Sequence, residues 1–131
     1  MNKREFLRTV ARETWRYFDT FMGPDDHALP PDNVQVAPDL RVAHRTSPTN
    51  IAMGLLATVS AHDLGFIDVD DMLRRLDATL TTVERLTRVS GHLLNWYDTT
   101  TLAPLQPAYV STVDSGNLAV SLVVAKSACR E

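Results

Sequence analysis

The chain has 131 residues, of which 44% are hydrophobic and 22% charged, and 13 basic against 16 acidic residues give a formal charge of −3. This composition, close to the globular average, excludes a disordered or collagen-like chain and fits a single domain or partial domain over residues 1–131. The slight acidic excess offers no basic surface for nucleic acid or an anionic membrane, and one cysteine excludes an intramolecular disulfide.

Apolar residues recur every three or four positions in four segments, which predicts an all-α chain without a sheet of three or more strands. The predicted helices lie at 3–22, 48–64, 69–88 and 115–129. The first helix carries an aromatic stripe of Trp15, Phe18 and Phe21 on a charged background. Ser47 followed by Pro48 is typical of an N-cap and a first helical position, so the second helix should begin there.

Two further start signals are predicted, at Asp68 for the third helix and at Asp114 or Ser115 for the fourth. The short turn over 65–68 predicts that the second and third helices pack antiparallel. The fourth helix is apolar nearly all round and therefore needs covering on every side. Because three other helices cannot provide that cover, we expect the isolated chain to form a homo-oligomer that buries the fourth helix.

Two long segments, 24–46 and 91–115, are non-helical and are predicted to be ordered loops. The first shows no sustained period of either kind, and the second is expected to contain short extended pieces at 92–97 and 109–113. Loops of this length inside a small domain are often functional. The second loop contains Asn95, Trp96, Tyr97 and Asp98 in succession. Aromatic faces suit the C–H surface of a pyranose, and amides and carboxylates bind its hydroxyls, so a sugar site is one interpretation.

The competing interpretation is that Trp96 and Tyr97 anchor this loop in the core while Asp98 caps a turn. A sugar site requires at least one of the two rings to be partly accessible to solvent. A similar pair of interpretations applies to Asp114, Ser115 and Asn117, which either hold a sugar hydroxyl beside helix amides or simply cap the helix. The same two interpretations apply to Ser47 and Asn50.

The remaining chemistry-bearing residues provide no further motif. Four histidines are spread without metal-site spacing, so we expect no metal, and nothing indicates a cofactor. Cys129 is expected to be a small buried residue rather than a nucleophile. Glycoside chemistry needs two carboxyl groups, but the spacing of Asp32, Asp98 and Asp114 selects no pair, so catalytic residues stay unassigned.

Five separated strings are unusual in composition: "LPPDN" (29–33), "VAHRTSPTNI" (42–51), "AHDLGFI" (61–67), "GHLLNWYDT" (91–99) and "YVSTVDSGNLA" (109–119). In order and spacing they resemble the middle region of cyclic β-1,2-glucan synthases. The resemblance covers nearly the whole chain, including both loops, while residues 120–131 diverge from the family pattern.

The resemblance implies a large inner-membrane protein with a glycosyltransferase part, a glucoamylase-like middle part and a phosphorylase-like part. The middle part resembles an (α/α)6 toroid that cyclises β-1,2-glucan by transglycosylation. This chain would be a helical fragment of that toroid, a soluble segment on the cytoplasmic side without direct membrane contact. Its implied partners are β-1,2-glucan or another glucan and the remainder of the synthase chain, and no nucleic acid.

The matched strings also supply candidate substrate-binding residues, carried over one by one. These are Asp32, Asn33, Arg45, Asn50, Asn95, Trp96, Tyr97, Asp98, Asp114 and Asn117. The catalytic carboxylic acids of the family are expected on later helices, so the isolated chain is expected to be inactive. The alternative from a different class is a noncatalytic helical interaction module that uses the aromatic stripe and the fourth helix as partner surfaces.

Overall fold

A computed structural model describes residues 1–131 and confirms an all-α chain with four helices. These are α1 (Lys3–Phe21), α2 (Pro48–Asp63), α3 (Val69–Arg85) and α4 (Thr112–Cys129). A short 3-10 turn at Pro24–Asp26 follows α1. Six two-residue strands form three antiparallel pairs: β1 (Val34–Gln35) with β2 (Arg41–Val42), β3 (Arg45–Thr46) with β6 (Tyr97–Asp98), and β4 (Arg88–Val89) with β5 (His92–Leu93).

The helix starts follow the predicted caps in two cases and differ in the third. The side chains of Ser47 and Asp68 accept hydrogen bonds from backbone amides at the first turns of α2 and α3, as predicted. The prediction that Asp114 or Ser115 caps α4 is wrong, because α4 begins three residues before the predicted start and Ser111 is its N-cap. The Ser111 hydroxyl accepts from the Asp114 amide, which places Asp114 inside the first turn.

Helix α2 packs against each of the other three helices. The N-terminal turns of α2 and α4 meet, since Thr49 of α2 bonds to Asp114 of α4, and these two helices lie side by side and parallel. In contrast, α1 runs antiparallel to α2, with Arg8 near its start donating to the Leu64 carbonyl just after α2 ends. A short turn after α2 leads into α3, and the two helices contact each other. An ion pair between Asp19 and Arg75 joins α1 to α3.

The core lies between α2, α3 and α4 and includes residues from both loops. Its thirteen buried members are Leu29, Ile51, Leu55, Val59, Met72, Leu76, Val83, Leu86, Leu93, Leu94, Tyr97, Leu118 and Ala125. Because Leu29 anchors the first loop and Leu93, Leu94 and Tyr97 anchor the second, both loops are held in fixed positions against the helices. Both loops are ordered, as predicted, because these apolar side chains are packed in the core.

Only one side of α4 is covered. Leu118, Ser121 and Ala125 are buried against the rest of the chain, whereas Val120 and Val123 are about two-thirds exposed, at 65% and 67%. Cys129 is exposed as well, so its predicted burial is wrong. The physical reason is that α2 packs against α4 from one direction, and Cys129 lies outside that contact. None of the four helices is both long and apolar enough to cross a membrane.

Candidate functional site

The two loops meet along the β3–β6 ladder beside the N-terminal end of α2. In this ladder Arg45 is opposite Asp98 and Thr46 is opposite Tyr97. The Thr99 amide continues the pairing by donating to the His44 carbonyl at 3.0 Å. Residues from two loops, far apart in sequence, are therefore brought to one surface, which contains most of the predicted site residues.

Asp32 is the centre of a polar network on this surface. Its Oδ2 accepts hydrogen bonds from Arg45 Nε at 3.3 Å, Arg45 Nη2 at 3.1 Å and Asn33 Nδ2 at 3.0 Å, while Oδ1 accepts from Asn50 Nδ2 at 3.2 Å. Burial alone would raise the pKa of Asp32, but the hydrogen bonds from Asn50, Arg45 and Asn33 and the Arg45 charge together lower it. Asp32 is thus held as a carboxylate that accepts hydrogen bonds.

Arg45 also links this network to Trp96. Its guanidinium carbon lies 5.4 Å from the centre of the Trp96 ring, within the range of a cation–π contact. Trp96 is partly exposed, which confirms the prediction that at least one ring of the pair is accessible. The two side chains line an open cavity of about 320 Å³ together with Asn95, Leu105, Gln106 and Pro107. We call Arg45 and Trp96, with Asp32 behind them, the Trp96 platform.

Tyr97 has the opposite environment from its neighbour. Its ring is fully buried, at 0% exposure, and its hydroxyl donates to the Thr87 carbonyl at 2.6 Å while accepting from the Leu94 amide at 2.7 Å. Burial raises the pKa of Tyr97, although the Leu94 amide and the Arg88 charge oppose that shift. A buried ring offers no face to a sugar, so the core-anchor interpretation describes Tyr97.

Asn95 and Asp98 both organise the loop that carries Trp96. The buried Asn95 amide donates to the Pro107 carbonyl at 3.2 Å and accepts from the Tyr109 amide at 3.0 Å, which ties the two ends of the loop together. Asp98 Oδ1 accepts from the Thr100 hydroxyl and amide and from the Thr101 amide. These bonds, the Thr100 hydroxyl first, hold the pKa of Asp98 below its usual range. Asp98 therefore caps a turn as a carboxylate.

Asp114 and Asn117 lie at a second polar contact, where the first turns of α2 and α4 meet. The Thr49 hydroxyl donates to Asp114 Oδ1, and Asn117 Nδ2 donates to the same hydroxyl at 3.0 Å. Asp114 is half-buried and Asn117 is exposed. The structure thus groups Asp114 and Asn117 with Thr49, and it groups Asp32, Asn33, Arg45 and Asn50 with Trp96.

Sequence reasoning missed a third cluster formed by Asp26, His44 and Thr99. Asp26 is buried, and its Oδ1 accepts from the Thr99 hydroxyl and from His44 Nδ1, the latter at 2.7 Å. His27 Nδ1 contacts the Thr99 carbonyl at 2.8 Å. Since Asp26 and Thr99 are 73 positions apart, no local pattern indicates their contact. The presence of His27 and His44 in the first loop was the one sequence feature that pointed toward this cluster. The histidines were considered only for metal-site spacing, which does not detect such a contact.

The family and fold follow from comparison with known proteins. The family described as "Protein of unknown function (DUF3131)" matches residues 9–129, and the chain belongs to that family. Cyclic beta-(1,2)-glucan synthase NdvB of Rhizobium meliloti (strain 1021) is 48% identical over 127 residues. That alignment covers 97% of this chain but only 4% of NdvB, so the chain spans a small part of this relative.

Two solved structures resemble the fold at lower identity. A β-1,2-glucanase from Parabacteroides distasonis matches with a TM-score of 0.84 and 18% identity, over 100% of this chain and 19% of that chain. A putative glucoamylase from Bacteroides fragilis NCTC 9343 matches with a TM-score of 0.81 and 19% identity, over 94% of this chain and 30% of that chain. The helices and loops therefore form part of a glucoamylase-like (α/α)6 fold, which confirms the fold implied by the sequence resemblance.

Proposed function

We propose that this chain is part of a carbohydrate-active domain that binds β-1,2-glucan through the Trp96 platform. The observation that carries the proposal is the accessible Trp96 ring next to Arg45 and Asp32, in a fold like that of a β-1,2-glucanase. An aromatic face covers the C–H surface of a glucose unit, while the charged pair bonds its hydroxyls. The name of NdvB, which is 48% identical to this chain, refers to the same glucan.

The cavity size supports binding of a short stretch of glucan. Its volume of about 320 Å³ is at the small end of ligand sites, which span about 300–1,000 Å³. Asp114 and Asn117, at the junction of α2 and α4, extend the polar surface beyond the cavity. The platform therefore holds one part of the polymer, and the other predicted contacts lie along its path.

The chain by itself does not perform glycosidic chemistry in this proposal. A glycosidase or transglycosylase needs one protonated carboxyl group and one carboxylate on either side of the scissile bond. Asp32 and Asp98 both have a lowered pKa and accept several hydrogen bonds, so neither is suited to donate a proton. The catalytic acids come from the remainder of a longer synthase, in which this domain cyclises the glucan by transglycosylation on the cytoplasmic side of the inner membrane.

The binding experiment uses β-1,2-gluco-oligosaccharides and the fluorescence of Trp96. Trp15→Phe removes the only other tryptophan, which is buried in α1, so the emission then reports Trp96 alone. We expect saturable quenching or a spectral shift with the β-1,2-linked ligand and a weaker response with β-1,3-gluco-oligosaccharides. In calorimetry, Trp96→Ala should abolish binding while the helical circular dichroism is kept.

The matched control is Tyr109→Ala, since Tyr109 is an exposed aromatic of the same loop that does not line the cavity. It should bind like the parent chain. Equal affinity of Trp96→Ala and the parent, or no binding by the parent at millimolar ligand, would rule out the platform.

A second function, as an interaction module, is favoured by the open apolar edges of the fold. One edge is the exposed face of α4, and the other is a cavity of about 270 Å³ between α1 and α2 with Trp15, Phe18 and Met53 among its lining residues. In the full protein the remainder of the chain covers both edges. In isolation we propose that a second copy covers them, since apolar burial contributes about 25 cal/mol per Å².

Sedimentation of the isolated chain tests this association. The parent chain should be a dimer or larger at tens of micromolar, and Val123→Lys on α4 should shift it toward monomer. Val36→Lys, on an exposed residue of the first loop, is the matched control and should leave the mass unchanged. A monomeric parent chain would exclude the homo-oligomer.

A further inference from the structure

The cluster of Asp26, His44 and Thr99 lies outside the Trp96 platform and has an unusual division of exposure. Asp26 is only 7% exposed and Thr99 is fully buried, whereas half of the His44 side chain is accessible to solvent. Burying a carboxylate removes its hydration and is tolerated where hydrogen bonds replace the lost water. The Thr99 hydroxyl and His44 Nδ1 both donate to Asp26 Oδ1 and provide that replacement.

The carboxylate determines how the His44 imidazole presents itself to solvent. The Asp26 carboxylate can only accept a hydrogen bond, so His44 Nδ1 carries the hydrogen that it donates to Asp26. In the neutral ring the lone pair is then on Nε2. No group of the chain bonds to Nε2. A carboxylate on one ring nitrogen is the arrangement that orients histidines for ligand contact through the other nitrogen.

The His44 side chain is not needed to hold the two loops together. The bond from Thr99 to Asp26 already links them inside the core, and the Thr99 amide also donates to the His44 backbone carbonyl. The half-exposed ring adds little buried area to these contacts. What it adds is an oriented hydrogen-bond acceptor at the surface.

His44 directly precedes Arg45, the residue whose guanidinium contacts the Trp96 ring. The Arg45 amide donates to the Ala43 carbonyl at 2.7 Å, so His44 lies in a tight turn just before β3. His44 is therefore next to the Trp96 platform along the chain but outside its cavity. A ligand that contacts both His44 and the platform must extend beyond that cavity.

We propose that His44 Nε2 accepts a hydrogen bond from a glucose hydroxyl of a bound glucan, and that Asp26 is the positioning residue that orients the ring for this contact. This inference rests on the proposed function, because it extends the glucan path from the Trp96 platform. A sugar hydroxyl suits the site since it is a neutral donor, and the buried Asp26 charge is already satisfied by Thr99 and His44.

The test compares two substitutions of His44, one that keeps a hydrogen-bond donor for Asp26 and one that keeps an acceptor near the position of Nε2. His44→Asn retains an amide donor for Asp26 but has no atom at the position of Nε2. His44→Gln has the length to place an oxygen acceptor near that position. We expect His44→Asn to weaken the Kd for a β-1,2-gluco-oligosaccharide of four or more units about three- to tenfold, with His44→Gln recovering part of the loss.

His62→Asn, on a partly exposed histidine at the distal end of α2, is the matched control and should not change the Kd. A disaccharide that occupies only the platform cavity should bind the parent and His44→Asn equally. Equal affinity of the parent and His44→Asn for the long ligand, with Trp96→Ala still defective, overturns the His44 contact and leaves the proposed function standing. A parent chain that binds no glucan overturns both.

A spectroscopic measurement on the unmodified chain tests the orientation of the His44 ring without relying on a variant that must fold. In its neutral form the His44 ring should show hydrogen on Nδ1 and a bare Nε2 in nitrogen NMR, and the Nε2 resonance should move when the oligosaccharide is added. Asp26→Asn should shift the ring toward a mixture of tautomers. A neutral ring with hydrogen on Nε2 in the parent chain refutes the proposal. An Nε2 resonance that does not change when the oligosaccharide is added also refutes it.

Discussion

Removing one buried hydroxyl should distinguish the structural ring of the aromatic pair from the ligand-binding one. Tyr97→Phe keeps the ring but deletes the group that accepts from the Leu94 amide and donates to the Thr87 carbonyl. Leu94 is buried, so its N–H is left without a partner. Thr87 is exposed, and its carbonyl has access to water.

The expected loss of stability follows from these two environments. A buried amide left unsatisfied costs about 1–3 kcal/mol, and an exchanged hydrogen bond at an exposed carbonyl about 0.5–1.5 kcal/mol. We therefore expect Tyr97→Phe to lower the free energy of unfolding by about 2–4 kcal/mol. For a chain of this size that corresponds to a decrease in Tm on the order of 10 °C.

Urea denaturation followed by far-UV circular dichroism measures this loss, and Tyr17→Phe is the matched control. The partly buried Tyr17 hydroxyl makes one bond, to the Pro31 carbonyl at 2.9 Å, so its loss should cost about 0.5–1.5 kcal/mol. Under folding conditions Tyr97→Phe should bind glucan like the parent. A smaller effect than Tyr17→Phe, or a binding defect without destabilisation, would refute the assignment of Tyr97 as a core anchor.

Three further predictions concern packing, acid stability and thiol access. Gly116→Ala, which meets open space on α4, should raise stability by about 0.5–1 kcal/mol. Gly54→Ala places its Cβ 2.9 Å from Met22 Cε and 3.2 Å from the Pro30 ring, so it should not show this gain, and equal gains in urea denaturation would contradict this. Because the pKa of Asp32 is lowered in the folded state, its stabilisation is present above the unfolded pKa of about 3.9 and is lost as pH falls through the folded pKa. Asp32→Asn should therefore flatten the stability profile in that acid range, and an unchanged profile would disprove the effect. At low chain concentration Cys129 should react with a thiol reagent as fast in the native chain as in urea, and marked protection would show that the residue is covered.

The helix boundaries were largely predictable because their signals are local. Ser47 and Asp68 accept from amides three residues onward, so the cap and its partner lie in the same short segment. The same locality misled the prediction for α4, where several cap-forming residues follow one another. Ser111 is the cap, and the Asp114 side chain instead bonds to Thr49 in another helix, a contact that no local pattern contains.

The amino-acid sequence by itself determined the all-α fold and placed aromatic, amide and carboxylate groups in two loops, because periodicity and caps act over a few residues. Which of Trp96 and Tyr97 is accessible was decided by the tertiary structure, since β6 pairs with β3 and alternation directs one ring inward and the other outward. The contact of Asp26 with Thr99 across 73 positions was decided in the same way. Contacts at such separations depend on how the helices bring the loops together, and that arrangement exists only in the folded chain.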